Sequence, residues 1–193
     1  DYLDNLSKSQ RVVRFTENLG PRYVAESAEM IDLLPEYFII TDPDLVLNTR
    51  LPDGFIDKMK DVIHAHNVSK AGFALDIHDT CDKFFNKDWV HTWEDKYWET
   101  KVPHLPTCVS DDIYLAPLDT TFCLFKKSTY LHEVEDIGYG ITATSSLRIA
   151  GRFTCEHMGW WTNQPVPQDE LDYYKSSQRW SGTCLERKRL GYN

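Results

Sequence analysis

Two kinds of hydrophobic pattern alternate along the chain, one with the spacing of helices and one made of short apolar runs. Helical spacing predicts the segments 1–10 (the end of a helix), 21–34, 53–66, 89–98 and 168–178 (a C-terminal helix that packs on the domain). Pro21 and Pro52 stand where two of these helices begin, a position that suits proline because the first helical N–H groups have no partner within the helix.

Short apolar runs between the helices predict strands at 12–15, 37–40 and 71–75, and an extended segment at 116–125. The runs at 37–40 and 71–75 are continuous, which is typical of strands buried on both faces. Strands that alternate with helices predict a single α/β domain with a mixed, mostly parallel sheet flanked by helices. In such sheets ligands bind beyond the carboxyl ends of the strands.

Composition excludes several classes of protein. The 193-residue chain has a formal net charge of -9, which repels a nucleic-acid backbone, so we expect no nucleic-acid partner. No apolar run approaches the roughly 20 residues that span a bilayer, so we expect no membrane span. The five cysteines form no Cys-x-x-Cys pair, and free or buried thiols in a reducing, cytoplasmic compartment are the expectation.

The most informative feature is Asp42-Pro43-Asp44, which follows the apolar run at 37–40 after the single residue Thr41. Alternate residues of an extended chain face the same side, so both carboxylates can converge. Oxygen ligands of this kind suit Mg²⁺ or Mn²⁺. Asp and Pro are also common in turns, and a solvated loop after the strand remains the alternative interpretation.

A series of motifs accompanies this pair in a fixed order along residues 12–161. They are Arg14-Phe15, Asn18 to Arg22, Phe38 to Asp44, Pro52 to Phe55, Gly72 to Ile77, Trp93-Glu94-x-x-Tyr97-Trp98, Asp119 to Phe122, and Arg148 to His157. As an ordered set they resemble the GT-A glycosyltransferases, which have a Rossmann-related α/β sheet. The resemblance implies transfer of a sugar from a nucleotide diphosphate, with UDP favoured, to a glycan or glycoprotein acceptor.

The resemblance also implies roles for particular residues. Asp42, Asp44 and His157 would bind Mn²⁺ or Mg²⁺, with Asp44 the more direct ligand. The residues that would contact the nucleotide sugar are Asn18, Gly20, Arg22, Asp42 and Arg148. A lone histidine beside aromatic residues is otherwise more often a core or surface residue than a ligand.

The same resemblance divides the chain into three parts. Residues 1–66 would form the nucleotide-sugar-binding part, 67–161 the acceptor and catalytic part, and 162–193 a C-terminal packing segment. Members of the family start with a strand and turn that bind the base, whereas this chain begins in the helix that follows. We therefore expect either about 20 further residues before it or an altered topology, and the base-binding residues of that strand are not named.

An inverting transfer needs a carboxylate that takes the proton of the acceptor hydroxyl. Asp119, at the end of an apolar segment, is the first candidate, although it could equally be a turn residue that binds nearby N–H groups. Asp76 follows another strand, and Glu94 lies in the Trp-Glu motif, and both compete for the role.

Two other kinds of protein fit parts of the pattern. A nucleotidyltransferase or phosphatase-like hydrolase also places paired aspartates at strand ends, but no Gly-rich basic loop is visible near the start. A carbohydrate-binding or metal-stabilised interaction module would account for the tryptophans, but not for acids at the ends of successive strands.

Overall fold

The computed structural model describes residues 2–17, 19–20, 22–103, 111–138, 141–163, 167–176 and 191. The helices are α1 (Tyr2–Leu6), α2 (Tyr23–Glu26), α3 (Ala28–Asp32), α4 (Phe55–His66), α5 (Lys87–Glu94), α6 (Lys127–Ile137) and α7 (Gln168–Ser176). The strands are β1 (Tyr37–Ile40), β2 (Leu45–Leu47), β3 (Lys70–Leu75), β4 (Ile113–Leu115), β5 (Cys123–Lys126) and β6 (Ser146–His157). Short 3₁₀ turns follow at Cys81–Lys83, Asp95–Trp98 and Met158–Trp160.

All six strands form one mixed sheet in the order β1-β5-β3-β6-β2, with β4 also paired to β6. A mixed α/β sheet flanked by helices is therefore confirmed. Among the described strands only β3 and β6 are parallel neighbours, whereas β1·β5, β3·β5, β2·β6 and β4·β6 are antiparallel. Antiparallel neighbours thus predominate, which differs from the expectation of mostly parallel pairing. The reason is that β5, β2 and β4 are inserted between or beside the three co-directional strands β1, β3 and β6.

Two clusters of buried side chains cover opposite faces of this sheet. Alternation along β5 shows the division, because Leu124 packs with one cluster and Cys123 and Phe125 pack with the other. The first cluster includes Met59, Val62 and Ile63 of α4. The second includes Tyr130 and Val134 of α6. Helices therefore shield both faces and leave the strand ends as the open edge.

Some of the strands predicted from the sequence are present in the structure and others are not. The strands at 37–40 and 71–75 are present, the second extended to Lys70 and buried throughout. β1 is an edge strand that buries alternate residues, so the expectation that it is buried on both faces is wrong. No strand forms at 12–15, where Val13 and Phe15 are about half exposed and the segment pairs with no neighbouring strand.

Two segments predicted as single elements are interrupted: 21–34 forms two short helices, and only the end of 116–125 is a strand. Ser27 is extended between α2 and α3, and its hydroxyl accepts a hydrogen bond from Met30 N as the N-cap of α3. Residues 116–122 leave the sheet between β4 and β5. Pro117 has no N–H to donate, and Phe122 has a φ of 25°, which a regular strand excludes.

The segment predicted as a helix at 89–98 is α5 followed by a 3₁₀ turn. The C-terminal helix predicted at 168–178 is present as α7 over Gln168–Ser176, and residues 177–178 lie outside the described residues. The side chains described on α7, such as Tyr173, are exposed, so its packing on the domain remains a prediction. None of the helices within the described ranges has the length and apolar character needed to cross a membrane.

The cysteines within the described residues, Cys81, Cys123 and Cys155, are free thiols. Burial raises the pKa of the Cys123 thiol to about 12. Cys108 and Cys184 lie outside the described residues.

A bulge in β6 lets one strand serve two sets of neighbours. Residues 147–149 pair with β4 and 155–157 pair with β2, whereas 150–153 have no register partner on β3. Gly151 has a φ of 62° at the bulge, and Asp111 holds it by accepting a hydrogen bond from Arg152 N at 2.8 Å. The bulge therefore sets the direction in which the end of β6 runs.

We expect Gly151→Ala to destabilise the protein more than Gly54→Ala. Both glycines have left-handed φ values, 62° and 68°, which cost a residue with a Cβ about 1–2 kcal/mol. Only at Gly151 would the new Cβ lie 2.4 Å from Asp111 Oδ1, whereas nothing lies within 4 Å at Gly54. Thermal unfolding should show at least about 1 kcal/mol of additional loss for Gly151→Ala. Equal losses would contradict the role of Asp111 in the bulge.

Candidate metal and catalytic site

The acids singled out in the sequence collect at one edge of the sheet. Because β1, β3 and β6 run in the same direction, their carboxyl ends meet there. Asp42 follows β1, Asp76 follows β3, and His157 is the last residue of β6. The position of this edge agrees with the expected location of a ligand site.

The antiparallel pairing of β2 with β6 brings Asp44 next to His157. Leu45 is the register partner of His157, and Met158 N donates to Asp44 O at 2.9 Å. The two side chains then approach each other, with His157 Nε2 at 3.4 Å from Asp44 Oδ2. Strand pairing between distant parts of the sequence therefore creates this contact.

Asp42 is held by the loop that precedes β5. Its backbone N–H donates to Thr120 O at 2.8 Å, and burial raises the pKa of its carboxyl while a hydrogen bond with Thr120 and the nearby His157 oppose the rise. The carboxylate is thus partly desolvated beside a second carboxylate. Such a site favours a positively charged ligand, because a cation offsets the cost of two close negative charges.

Asp42, Asp44 and His157 fit a divalent cation. One ligand atom from each residue lies within 4.8 Å of the others, and no second group of this kind occurs in the part of the chain that the structure describes. His157 Nδ1 is buried without a hydrogen-bond partner there, which leaves a buried polar atom unsatisfied by the protein. Two carboxylates and an imidazole are donors that Mn²⁺ accepts readily and Mg²⁺ accepts in part.

Gly159 allows the backbone to pass close to this cluster. A Cβ at Gly159 would lie 2.6 Å from His157 Cε1 and 3.1 Å from Asp44 Oδ2. A side chain there would therefore displace the imidazole from Asp44. Sequence reasoning did not identify Gly159 or Thr120, although a glycine two residues after a candidate ligand histidine is a usable signal of close packing.

Asp119 lies beside Asp42 and is paired with Arg22. Arg22 Nη2 donates to Asp119 Oδ2 at 3.2 Å, and Thr120 N donates to Asp119 Oδ1 at 2.8 Å. The Asp119 side chain is 39% exposed and that of Arg22 is 49% exposed. Both groups can therefore reach a ligand that enters from solvent, as a general base and a phosphate partner require.

Asp76 has the role of a turn residue. Its Oδ1 accepts hydrogen bonds from His78 N at 3.1 Å and from Asp79 N at 3.0 Å. These bonds close the loop after β3 in the manner of an Asx turn. Asp76 Oδ1 is therefore engaged in the turn, whereas Asp119 lies in the loop whose Thr120 O binds Asp42 N.

Glu94 and Arg148, predicted as a candidate base and a nucleotide-sugar contact, form a buried ion pair. Arg148 Nη1 donates to Glu94 Oε2 at 2.7 Å, and the residues are only 5% and 3% exposed. Burial raises the pKa of Glu94 although Arg148 opposes this, and Arg148 also stacks over the Tyr97 ring at 4.1 Å. The two side chains thus bind each other in this arrangement, and their roles as general base and diphosphate partner remain predictions.

Gly20 lines an open, largely apolar cavity of about 440 Å³. The Phe15 and Tyr23 rings form part of its wall and meet edge to face at 5.5 Å. Asn18, the other residue expected near the nucleotide, lies outside the described residues. The cavity is of a size that small ligands occupy.

No family model, curated protein or solved structure matches this chain. The function of the site therefore has to be inferred from its own geometry and chemistry.

We expect Gly159→Ala to weaken Mn²⁺ binding by about 10-fold or more without unfolding the protein, because the imidazole must turn away from Asp44. Electron paramagnetic resonance of free Mn²⁺ during a titration measures this affinity. The same substitution should cost little further affinity in a His157→Ala background, since the two changes act on one ligand. Additive losses, or an unchanged affinity for Gly159→Ala, would show that Gly159 does not act through His157.

Proposed function

We propose that the chain is a metal-dependent glycosyltransferase that moves a sugar from a nucleoside diphosphate, UDP being favoured, to a hydroxyl of a glycan or glycoprotein. The observation that carries the proposal is the cluster of Asp42, Asp44 and His157 at the carboxyl edge of an α/β sheet. The acceptor class and the choice of UDP rest on the resemblance of the sequence motifs to GT-A enzymes.

The donor set defines what the cluster would bind. Asp42, Asp44 and His157 would hold Mn²⁺ or Mg²⁺ through two carboxylates and one imidazole. When bound, such an ion neutralises diphosphate oxygens and stabilises the nucleoside diphosphate as a leaving group. The formal net charge of -9 makes a local source of positive charge necessary for any anionic donor.

Arg22 supplies a second positive group at the same edge. Its ion pair with Asp119 is half exposed, and exposed pairs contribute only about 0–1 kcal/mol. The guanidinium can therefore turn toward phosphate oxygens at small cost, where it can form two parallel hydrogen bonds.

Asp119 is the candidate general base. As the bond between the anomeric carbon and the phosphate oxygen breaks, the acceptor oxygen bonds to that carbon and its proton passes to the Asp119 carboxylate. A shift of Arg22 toward the diphosphate would release Asp119 Oδ2, the atom that Arg22 contacts. The carboxylate would then be free to accept the proton when the donor is bound.

The cavity lined by Gly20 and Tyr23 suits the nucleotide base. Aromatic rings in its lining, Phe15 and Tyr23, offer faces on which a planar ring can stack. Because Arg22 follows Gly20 and precedes Tyr23 closely in the chain, a base in the cavity would leave its diphosphate near the guanidinium.

The proposal predicts that UDP binds tightly only with Mn²⁺, and that Asp44→Ala reduces this binding by about 100-fold or more. Isothermal titration calorimetry with UDP and saturating Mn²⁺ measures the affinity. Asp79→Ala is the matched control, because it removes an exposed carboxylate near the same edge that lies outside the cluster. Its affinity should remain within about 3-fold of the unmodified chain.

The products formed from a panel of UDP-sugars separate this proposal from its competitors. Release of UDP that requires Mn²⁺ and Asp44 supports sugar transfer or its hydrolytic side reaction. Release of pyrophosphate from a nucleoside triphosphate and a sugar phosphate would instead show a nucleotidyltransferase. Sugar binding without any turnover, unaffected by Asp44→Ala, would contradict the proposal and indicate a carbohydrate-binding module.

A further inference from the structure

Lys70 is a fully buried cation next to the candidate site. It begins β3, is 0% exposed, and lies on the sheet face that also buries Leu118, Phe125 and Ile141. Burial lowers the pKa of Lys70, although Cys123 and Asp119 oppose this. Burying an ammonium group costs several kcal/mol unless hydrogen bonds satisfy it. The hydrogen bonds of Lys70 must therefore offset this cost.

The ammonium group binds two backbone carbonyls from separate loops. Lys70 Nζ donates to Leu118 O at 2.8 Å and also to Ile141 O. It lies 5.4 Å from the centre of the Phe125 ring, which adds a favourable contact between a cation and an aromatic face. The lysine thus links two segments that have no strand partner at these residues.

Leu118 is the third of three consecutive carbonyls held in this way. Ser146 Oγ donates to Ala116 O at 2.8 Å, and Arg148 Nε donates to Pro117 O at 3.0 Å. Ser146, Arg148 and Lys70 are all buried and come from the neighbouring strands β6 and β3. Side chains of the sheet therefore hold the segment 116–118, which has no strand pairing of its own.

The held segment leads directly into the candidate site. The next residue, Asp119, pairs with Arg22, and Thr120 O accepts the hydrogen bond from Asp42 N. Packing leaves little room for this segment to move, since a Cβ at Gly72 would lie 3.0 Å from Leu118 Cδ1 and from Phe122 O. A shift of Leu118 would therefore displace both Asp119 and the loop that binds Asp42.

We propose that Lys70 is a positioning residue of the site: by fixing the carbonyl of Leu118 it holds Asp119 and, through Thr120, Asp42 in place. This inference rests on the proposed function of the cluster formed by Asp42, Asp44 and His157. Arg148 and Ser146 act in the same manner on the two preceding carbonyls. The buried Lys70 thus contributes to cation binding indirectly, through the position that the loop gives to Asp42.

Lys127 provides a matched control. Its Nζ also donates to two carbonyls, Asp32 O at 3.2 Å and Leu34 O at 3.0 Å, but these lie before β1 and away from the segment 116–120. Lys70→Met and Lys127→Met therefore each remove two hydrogen bonds from a lysine to backbone carbonyls. Only the first removes support from the candidate site.

The test is a titration with Mn²⁺ alone, followed by electron paramagnetic resonance, on folded variants of the whole chain. We expect Lys70→Met to weaken Mn²⁺ binding by about 10-fold or more, a loss typical of residues that orient metal ligands. Lys127→Met should stay within about 2-fold of the unmodified chain even if its melting temperature falls. Unchanged affinity in Lys70→Met, or an equal loss in Lys127→Met, would overturn the inference.

A second variant covers the case in which Lys70→Met does not fold. Ser146→Ala removes only the hydrogen bond to Ala116 O in the same segment, and a loss of Mn²⁺ affinity of about 3-fold or more, absent in Lys127→Met, would support the inference. Affinity unchanged in Ser146→Ala would overturn it. Asp44→Ala and the unmodified chain distinguish failure of the proposed function from failure of the positioning role. If the unmodified chain binds no Mn²⁺, the proposed function fails. If Mn²⁺ binding needs Asp44 but not Lys70, only the positioning role of Lys70 is refuted.

Discussion

The antiparallel pairing of β2 with the last residues of β6 is the interaction on which the candidate site depends. It places Leu45 opposite His157 and so sets Asp44 beside the imidazole. The pairing is possible because β6 changes partners at the bulge near Gly151, with β4 before it and β2 after it. Without that change of partner, the end of β6 would continue beside β4 and His157 would have no reason to meet Asp44.

Buried polar contacts then fix the parts of the site that strand pairing does not reach. Lys70, Ser146 and Arg148 hold three successive carbonyls of the segment that carries Asp119. Each buried donor would be costly alone, but it is satisfied by a carbonyl that would otherwise lack a partner. Rigidity at this loop and exposure at Arg22 and Asp119 together suit a site in which the ligands are fixed and the reacting groups remain accessible.

The sequence was sufficient to predict features that are encoded locally. The strand at 37–40 and the carboxylates after it are visible because a short apolar run followed by Asp-Pro-Asp leaves few other local structures. The mixed α/β class followed from the alternation of patterns. His157 could be predicted as a metal ligand only from the resemblance to GT-A enzymes, since its neighbouring residues do not indicate that it pairs with Leu45.

Features decided by tertiary packing were not predictable in the same way. Glu94 and Arg148 have the residue types of a general base and a phosphate partner, and only the fold shows that they form a buried pair with each other. Lys70 lies at the start of an apolar run, where a lysine normally marks a solvent-exposed strand end. The absence of a strand at 12–15 likewise depends on whether a neighbouring strand lies beside it. The break at Ser27 is instead local, since the Ser27 hydroxyl caps α3 by accepting a hydrogen bond from Met30 N.

Anomalous scattering at the manganese edge, from crystals grown with Mn²⁺ and UDP, would locate the metal ion itself. We expect one strong peak within coordination distance, about 2.0–2.4 Å, of carboxylate oxygens of Asp42 or Asp44 and of an imidazole nitrogen of His157, with the diphosphate bound beside it. A peak at another site, or bound UDP with no manganese between these three residues, would contradict it.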